Sequence, residues 1–155
     1  MSNSSIIGNI GGFIMEQTLL ETNDEPIIGS EEWVVKICNE IYFTLGKGHP
    51  ECVYHRALEY ELRSNNVKYE SEKIIPFKYK GICVGYGKSD IVINDMIIVE
   101  LKSICGNIGV KELEQIGRYM KELNIDTGII INFPQPTVSP KSTVDFVIGK
   151  MSDIP

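Results

Sequence analysis

Two runs rich in β-branched residues, Ile82–Ile93 and Ile97–Ser103, meet at Asn94-Asp95, and this pair constrains the fold more than any other stretch of the 155-residue chain. β-Branched side chains suit a pleated sheet, and a short polar connection between two such runs reads as an antiparallel hairpin. The hairpin also carries groups that apolar strands normally exclude. Asp90 lies in Ser89-Asp90-Ile91-Val92-Ile93, and Glu100 and Lys102 lie in Ile98-Val99-Glu100-Leu101-Lys102. Burying such charges is costly unless they are paired or hold a metal.

Glu100 and Lys102, two positions apart on a strand, project from one face. Whether Asp90 joins them depends on the turn. A two-residue loop would set Asp90 opposite Val99 and send it away from Glu100, whereas a three-residue loop, or an equivalent bulge, pairs Asp90 with Glu100. We expect the latter, with Val92 facing Ile98 and Lys88 facing Lys102. Two adjacent carboxylates make a hard-oxygen site suited to Mg²⁺ or Mn²⁺, with the Leu101 carbonyl as a further ligand. Such a cation would offset their repulsion, position a phosphate oxygen and acidify a water, and Lys102 could orient that water and stabilise developing charge. Taken alone, the string Asp-x9-Glu-x-Lys is equally compatible with a structural ion pair of Lys102 with Glu100 or Asp90.

The flanking sequence supplies the rest of an α/β domain. Ser30 reads as a helix N-cap, with Glu31 and Glu32 suited to the positive helix start, Trp33, Val34, Ile37, Ile41 and Leu45 at helical spacing, and Gly46 as terminator. A second helix is expected after Lys47-Gly48-His49, with Pro50 in its first turn and Tyr54, Leu58 and Leu62 buried. Extended segments follow at Val67–Tyr69 and Ile74–Tyr79, with Pro76 marking an edge or irregularity. After the hairpin come a helix, Val110–Leu123, with Val110, Leu113, Ile116 and Met120 inward, an apolar strand, Gly128–Phe133, and a last edge strand at Val144–Ile148. Because the strand after the helix can return by a crossover, the sheet should be mixed.

A chain of this length supports one core, so we expect a single domain at 30–150, an N-terminal arm at 1–29 without helix or strand periodicity that is flexible or docked on a partner, and a tail at 151–155. No apolar run reaches membrane-spanning length, and no basic, secretory-type start is visible, which points to a soluble intracellular protein with no membrane association. Cys38, Cys52, Cys83 and Cys105 contain no Cys-x-x-Cys pair and read as buried free thiols, and His49 and His55 read as ordinary polar positions. The net charge of −6 argues against a polyanionic partner, yet residues 52–121 hold eleven basic against nine acidic residues. Lys68, Lys73, Lys78, Lys80 and Lys88 punctuate the strands, and Lys111, Arg118 and Lys121 share a later helix. For any one of them a solvated face is an adequate explanation.

The segment Gly48-His49-Pro50-Glu51-Cys52-Val53-Tyr54, followed by Ala57–Arg63, resembles the signature of the GxxExxY proteins, a branch of the PD-(D/E)XK nuclease superfamily. The likeness continues through Pro76–Gly81, Ser89-Asp90, Val99–Lys102, Gln115–Tyr119 and Ile130–Phe133. It implies a restriction-endonuclease-like α/β core, a mixed sheet flanked by helices, with Asp90, Glu100 and Lys102 as the metal-binding and catalytic set. It also implies Glu51 as an acidic residue from the preceding helix, held anionic at the helix start and binding metal directly or through water, and Gln115 as a residue reaching the site or a phosphate. Tyr54 and Tyr119 are then packing residues. Tyr42, Lys88 and the His49-Pro50 pair depart from the family pattern and touch substrate handling rather than proposed ligands. The resemblance implies a Mg²⁺- (or Mn²⁺-) dependent nuclease acting on nucleic acid, DNA foremost. The alternatives are a nuclease-fold binding or assembly module with little catalysis, and a metal hydrolase of small phosphoesters. A homodimer built on an exchanged N-terminal arm is a further expectation.

Overall fold

The computed structural model describes residues 4–10, 13–18, 24–136 and 141–151; Pro140 and the tail beyond Met151 lie outside them. The elements are β1 (Ser4–Ile10), β2 (Phe13–Thr18), α1 (Glu31–Leu45), α2 (Glu51–Ser64), β3 (Tyr69–Tyr79), β4 (Ile82–Ile93), β5 (Ile97–Lys102), α3 (Val110–Leu123), β6 (Thr127–Asn132) and β7 (Asp145–Met151). Local chemistry accounts for the helix boundaries. The Ser30 side chain accepts from the Trp33 N–H at 3.2 Å, and Gly46 leaves the helix at φ 78°. Asn124 ends α3 in the left-handed conformation.

The strands form one sheet in the order β1-β2-β7-β6-β5-β4-β3. Among the described residues only β5 and β6 pair in parallel, because α3 carries the chain back across the sheet between them. Alternation along the strands builds two cores. Ile91, Ile93, Val99, Leu101, Ile129 and Ile131 face α1 and α2, while Val92, Ile98 and Ile130 face α3. Gly128 lets α3 approach closely, since a Cβ there would lie 2.7 Å from Met120 Sδ and 2.8 Å from Ile116 Cδ1.

Several expectations are corrected. The two extended segments after α2 are one strand, β3, and it is an outer strand of the sheet, where Pro76 loses no interior ladder bond. Residues 4–10 and 13–18, read as lacking strand periodicity, supply β1 and β2, and β2 pairs with β7 of the same chain. Strand β7 is therefore interior rather than an edge. Val110 is exposed because it stands at the first position of α3, ahead of the turn that meets the sheet. Only Cys38 is buried; Cys52, Cys83 and Cys105 are exposed free thiols.

Candidate active site

The β4–β5 turn decides where the charged residues lie. Ile93 pairs with Ile97, leaving Asn94, Asp95 and Met96 as a three-residue loop, with Asn94 and Asp95 at φ 53° and 55°. Asparagine and aspartate tolerate that region better than most residues. Val92 consequently pairs with Ile98, and the last ladder pair is Ile91 with Val99. Continuing the register brings Asp90 level with Glu100, but there the backbone ladder gives way to side chains. The Asp90 N–H donates to Glu100 Oε1 at 3.3 Å, and the Leu101 N–H donates to Asp90 Oδ2 at 2.7 Å. The expected Lys88–Lys102 pairing does not form, because β4 and β5 have separated by that point.

The other side of β4 is irregular at the same level. Its register with β3 passes from Ser71–Ile91 to Lys73–Ser89 with no Glu72–Asp90 pair, and Glu72 sits at φ 53°. Asp90 thus sits at a fork in the sheet, one residue beyond the last ladder pair of β4 with β5. Each carboxylate of the Asp90/Glu100 pair caps a peptide N–H of the opposite strand, which holds the two groups together despite their like charge.

Glu100 is only 4% exposed, and burial followed by the Asp90 charge pushes its carboxyl up to about 8, partly opposed by the Asp90 N–H and by Lys102. Lys102 is half-buried on the same strand, and its ammonium makes no ion pair or hydrogen bond among the described residues. The ion-pair alternative for this trio is thereby disfavoured. No three His, Cys, Asp or Glu side chains gather as a ready metal cluster among the described residues. Mg²⁺, however, is commonly held by one or two carboxylates while keeping several waters, so two oxygen-donating carboxylates in mutual repulsion fit that ion.

This repulsion predicts a stability effect. The folded state holds the Glu100 proton more tightly than the unfolded chain does, so its stabilising contribution is complete at acid pH and is lost as pH rises towards about 8. Without metal, Glu100→Gln should therefore raise the melting temperature at pH 8 by several degrees, on the order of 2 kcal/mol, and the gain should shrink towards pH 5. Thermal melts across that range check it; parallel wild-type and variant profiles would contradict it.

Glu51 reaches the site through the α1–α2 turn. Gly46 and Gly48 take φ 78° and 86°, a backbone region costly for other residues, and Pro50 then opens α2 with Glu51 in its first turn. Tyr54, one turn on and fully buried, donates its hydroxyl to the Gly46 carbonyl at 2.8 Å and stacks on Phe133 at 4.2 Å between centroids. Ser103 Oγ donates to the His49 carbonyl at 3.0 Å, tying the turn to the residue after Lys102. Burial and then the Asp90 charge raise the Glu51 carboxyl above its ordinary range, with Lys102 and His55 opposing. Its place in the first turn of α2 favours the anion, whereas desolvation and the neighbouring carboxylate act against it.

Gln115 lies apart from the trio in its visible contacts: its amide donates to the Tyr119 hydroxyl at 3.0 Å, and Tyr119 is buried on Phe77. Sequence reasoning overlooked three supporting residues. Asn132 receives the Ile104 N–H at 2.9 Å and donates to the Ile104 carbonyl at 3.2 Å, clamping the loop that leaves β5. Ser103 and Gln135 hydrogen-bond each other and both donate to the His49 carbonyl. Asn132 alone was signposted, as a fully buried amide in an otherwise apolar strand.

A mixed sheet between two helical layers, forked where two carboxylates and a lysine meet, defines an α/β protein of the restriction-endonuclease-like architecture. Residues 29–144 match the profile of the PD-(D/E)XK nuclease superfamily, and the chain belongs to that superfamily. A solved structure titled "Crystal structure of SSO0001" is similar at 19% identity and a TM-score of 0.47, over 64% of this chain and 49% of that one. The chain thus spans about half the length of that protein. No curated protein matches. Among the described residues no helix is long and apolar enough to cross a membrane.

Proposed function

We propose that the chain is a Mg²⁺- or Mn²⁺-dependent nuclease of the GxxExxY branch, hydrolysing phosphodiester bonds of DNA. The observation that carries this reading is the fork: Asp90 and the buried Glu100 face each other, while the Lys102 ammonium beside them is unpaired. Structural charges on this scale of burial are normally neutralised by partners within the protein, so an unpaired ammonium beside two repelling carboxylates is suited to a bound ion and phosphate instead.

In this reading Asp90, Glu100 and the Leu101 carbonyl would hold the cation, and Glu51 would bind it directly or through water. The cation supplies charge neutralisation at the phosphate and acidifies water. Lys102 positions the attacking water by hydrogen bonding and stabilises the negative charge that grows on the phosphate oxygens. Gln115, released from Tyr119, contacts a phosphate on the α3 side.

Cleavage of plasmid and single-stranded DNA should require Mg²⁺ or Mn²⁺, stop in a chelator, and be lost in Asp90→Ala. Mn²⁺ should also raise the wild-type melting temperature at pH 8 and fail to do so in that variant. Equal nicking by wild type and Asp90→Ala would mark a contaminant and overturn the assignment. A Mn²⁺ shift without cleavage of any nucleic acid would favour a binding module on the same fold.

A further inference from the structure

The outer half of the β3–β4 hairpin reaches past β5, which pairs with β4 only at residues 91–93. It forms a two-stranded ribbon, and its two faces differ. Ile75 pairs with Gly87 and Phe77 with Gly85 on the side covered by α3. A Cβ at Gly87 would lie 2.6 Å from the Tyr119 ring and 2.8 Å from the Phe77 ring, so glycine there lets the ribbon seat on α3. The opposite face pairs Ile74 with Lys88 and Pro76 with Tyr86, and nothing covers it among the described residues. Tyr86 is 70% exposed on this face with Ile74 exposed beside it, and past the bulge at Phe77/Lys78 the exposed Tyr79 and Ile82 pair at the ribbon tip on the Phe77 side.

The charge of this ribbon departs from that of the whole chain. Residues 73–89 contain Lys73, Lys78, Lys80 and Lys88 and no acidic residue, although the protein carries a net charge of −6. Lys73 and Lys88 are engaged by Glu70 and Glu72, whereas Lys78 and Lys80 form no ion pair among the described residues. Lys80 stands over the Tyr79 ring at 5.4 Å. Lys88, on this face, lies two residues before Asp90 along β4 and feels its charge, so the surface borders the fork.

We infer that this ribbon is a binding platform for a single strand of nucleic acid, which it leads into the site. The inference rests on the nuclease reading above. Lysines without ion-pair partners suit phosphates, and the exposed Tyr86 ring suits the face of an unpaired base, a combination that tracks single strands without reading sequence. A second copy of the chain is the competing occupant of an outer strand with exposed aliphatic residues. Two copies would set the same uncompensated lysines against each other, which argues for the polyanion.

Binding of a fluorescently labelled 20-nucleotide single strand and of its duplex, measured by anisotropy in chelator with the full chain, tests this without requiring cleavage. Single-strand binding should exceed duplex binding. Tyr86→Ala should weaken it roughly tenfold, with Tyr86→Phe restoring most of the loss, because the ring and not the hydroxyl stacks. Lys78→Ala with Lys80→Ala should lower the slope of log affinity against log salt by about 1.4. Unchanged binding in all these variants, while wild type binds or cleaves, would overturn the platform and leave the nuclease reading standing. Wild type that neither binds nor cleaves nucleic acid would overturn both. A dimer by light scattering that the Tyr86→Ala or lysine variants dissociate, with strand binding unaltered, would assign the face to a second copy.

Discussion

Lys102→Ala is expected to reduce DNA cleavage roughly a hundred- to a thousandfold, the usual cost of removing one group that stabilises transition-state charge. The fold should be nearly indifferent to the change. The Lys102 ammonium makes no hydrogen bond or ion pair among the described residues, so melting should shift by no more than about 0.5 kcal/mol. Its charge does act on its neighbours, opposing the upward push on both Glu51 and Glu100. Removing it should therefore leave Mn²⁺ binding intact or tighter while chemistry fails, a split that a damaged fold would not produce. Lys102→Arg should recover part of the rate by restoring the charge without the compact ammonium. Full activity in Lys102→Ala, measured with purified protein under single-turnover conditions, would remove Lys102 from the mechanism.

The second large effect is on stability and comes from a residue outside the charged trio. Tyr54→Ala would empty a fully buried site between the Phe133 ring and the α1–α2 turn, and should cost about 3–5 kcal/mol, as other buried aromatic deletions do. That approaches the whole stability of a small domain. Tyr54→Phe keeps the stack and loses only the hydroxyl bond to Gly46, so it should cost about 1 kcal/mol and remain folded. The turn that Tyr54 braces carries Glu51. The Phe variant should thus lose more in metal affinity than its small stability loss suggests, and chemical denaturation with parallel Mn²⁺ titration measures both. A Tyr54→Ala protein as stable as wild type would show that the turn is held elsewhere, through Ser103 and Gln135.

The elements near the site were legible because each is dictated locally. Ser30 caps α1, the three-residue loop at Asn94–Met96 brings Asp90 level with Glu100, and α3 spans the expected residues. The misreadings arose where partners distant in sequence decide the outcome. Residues 145–151 look like an edge strand by themselves and become interior only because β2, more than a hundred residues earlier, pairs with them. Three cysteines resemble core residues by type and are exposed by position. Asn132 looked like part of an apolar strand until the loop after β5 folded onto its amide.

The same division applies to the charged trio with which the chain announced itself. The sequence by itself determined that Asp90, Glu100 and Lys102 would share a hairpin, because strand period and loop length are short-range properties of the backbone. Only the tertiary structure decided that the strands part at Asp90, that each carboxylate takes up a peptide N–H of the other strand, and that Lys102 is left unpaired. Those outcomes depend on burial under helices and on the turn that delivers Glu51, and burial is a property of the assembled layers rather than of any one segment.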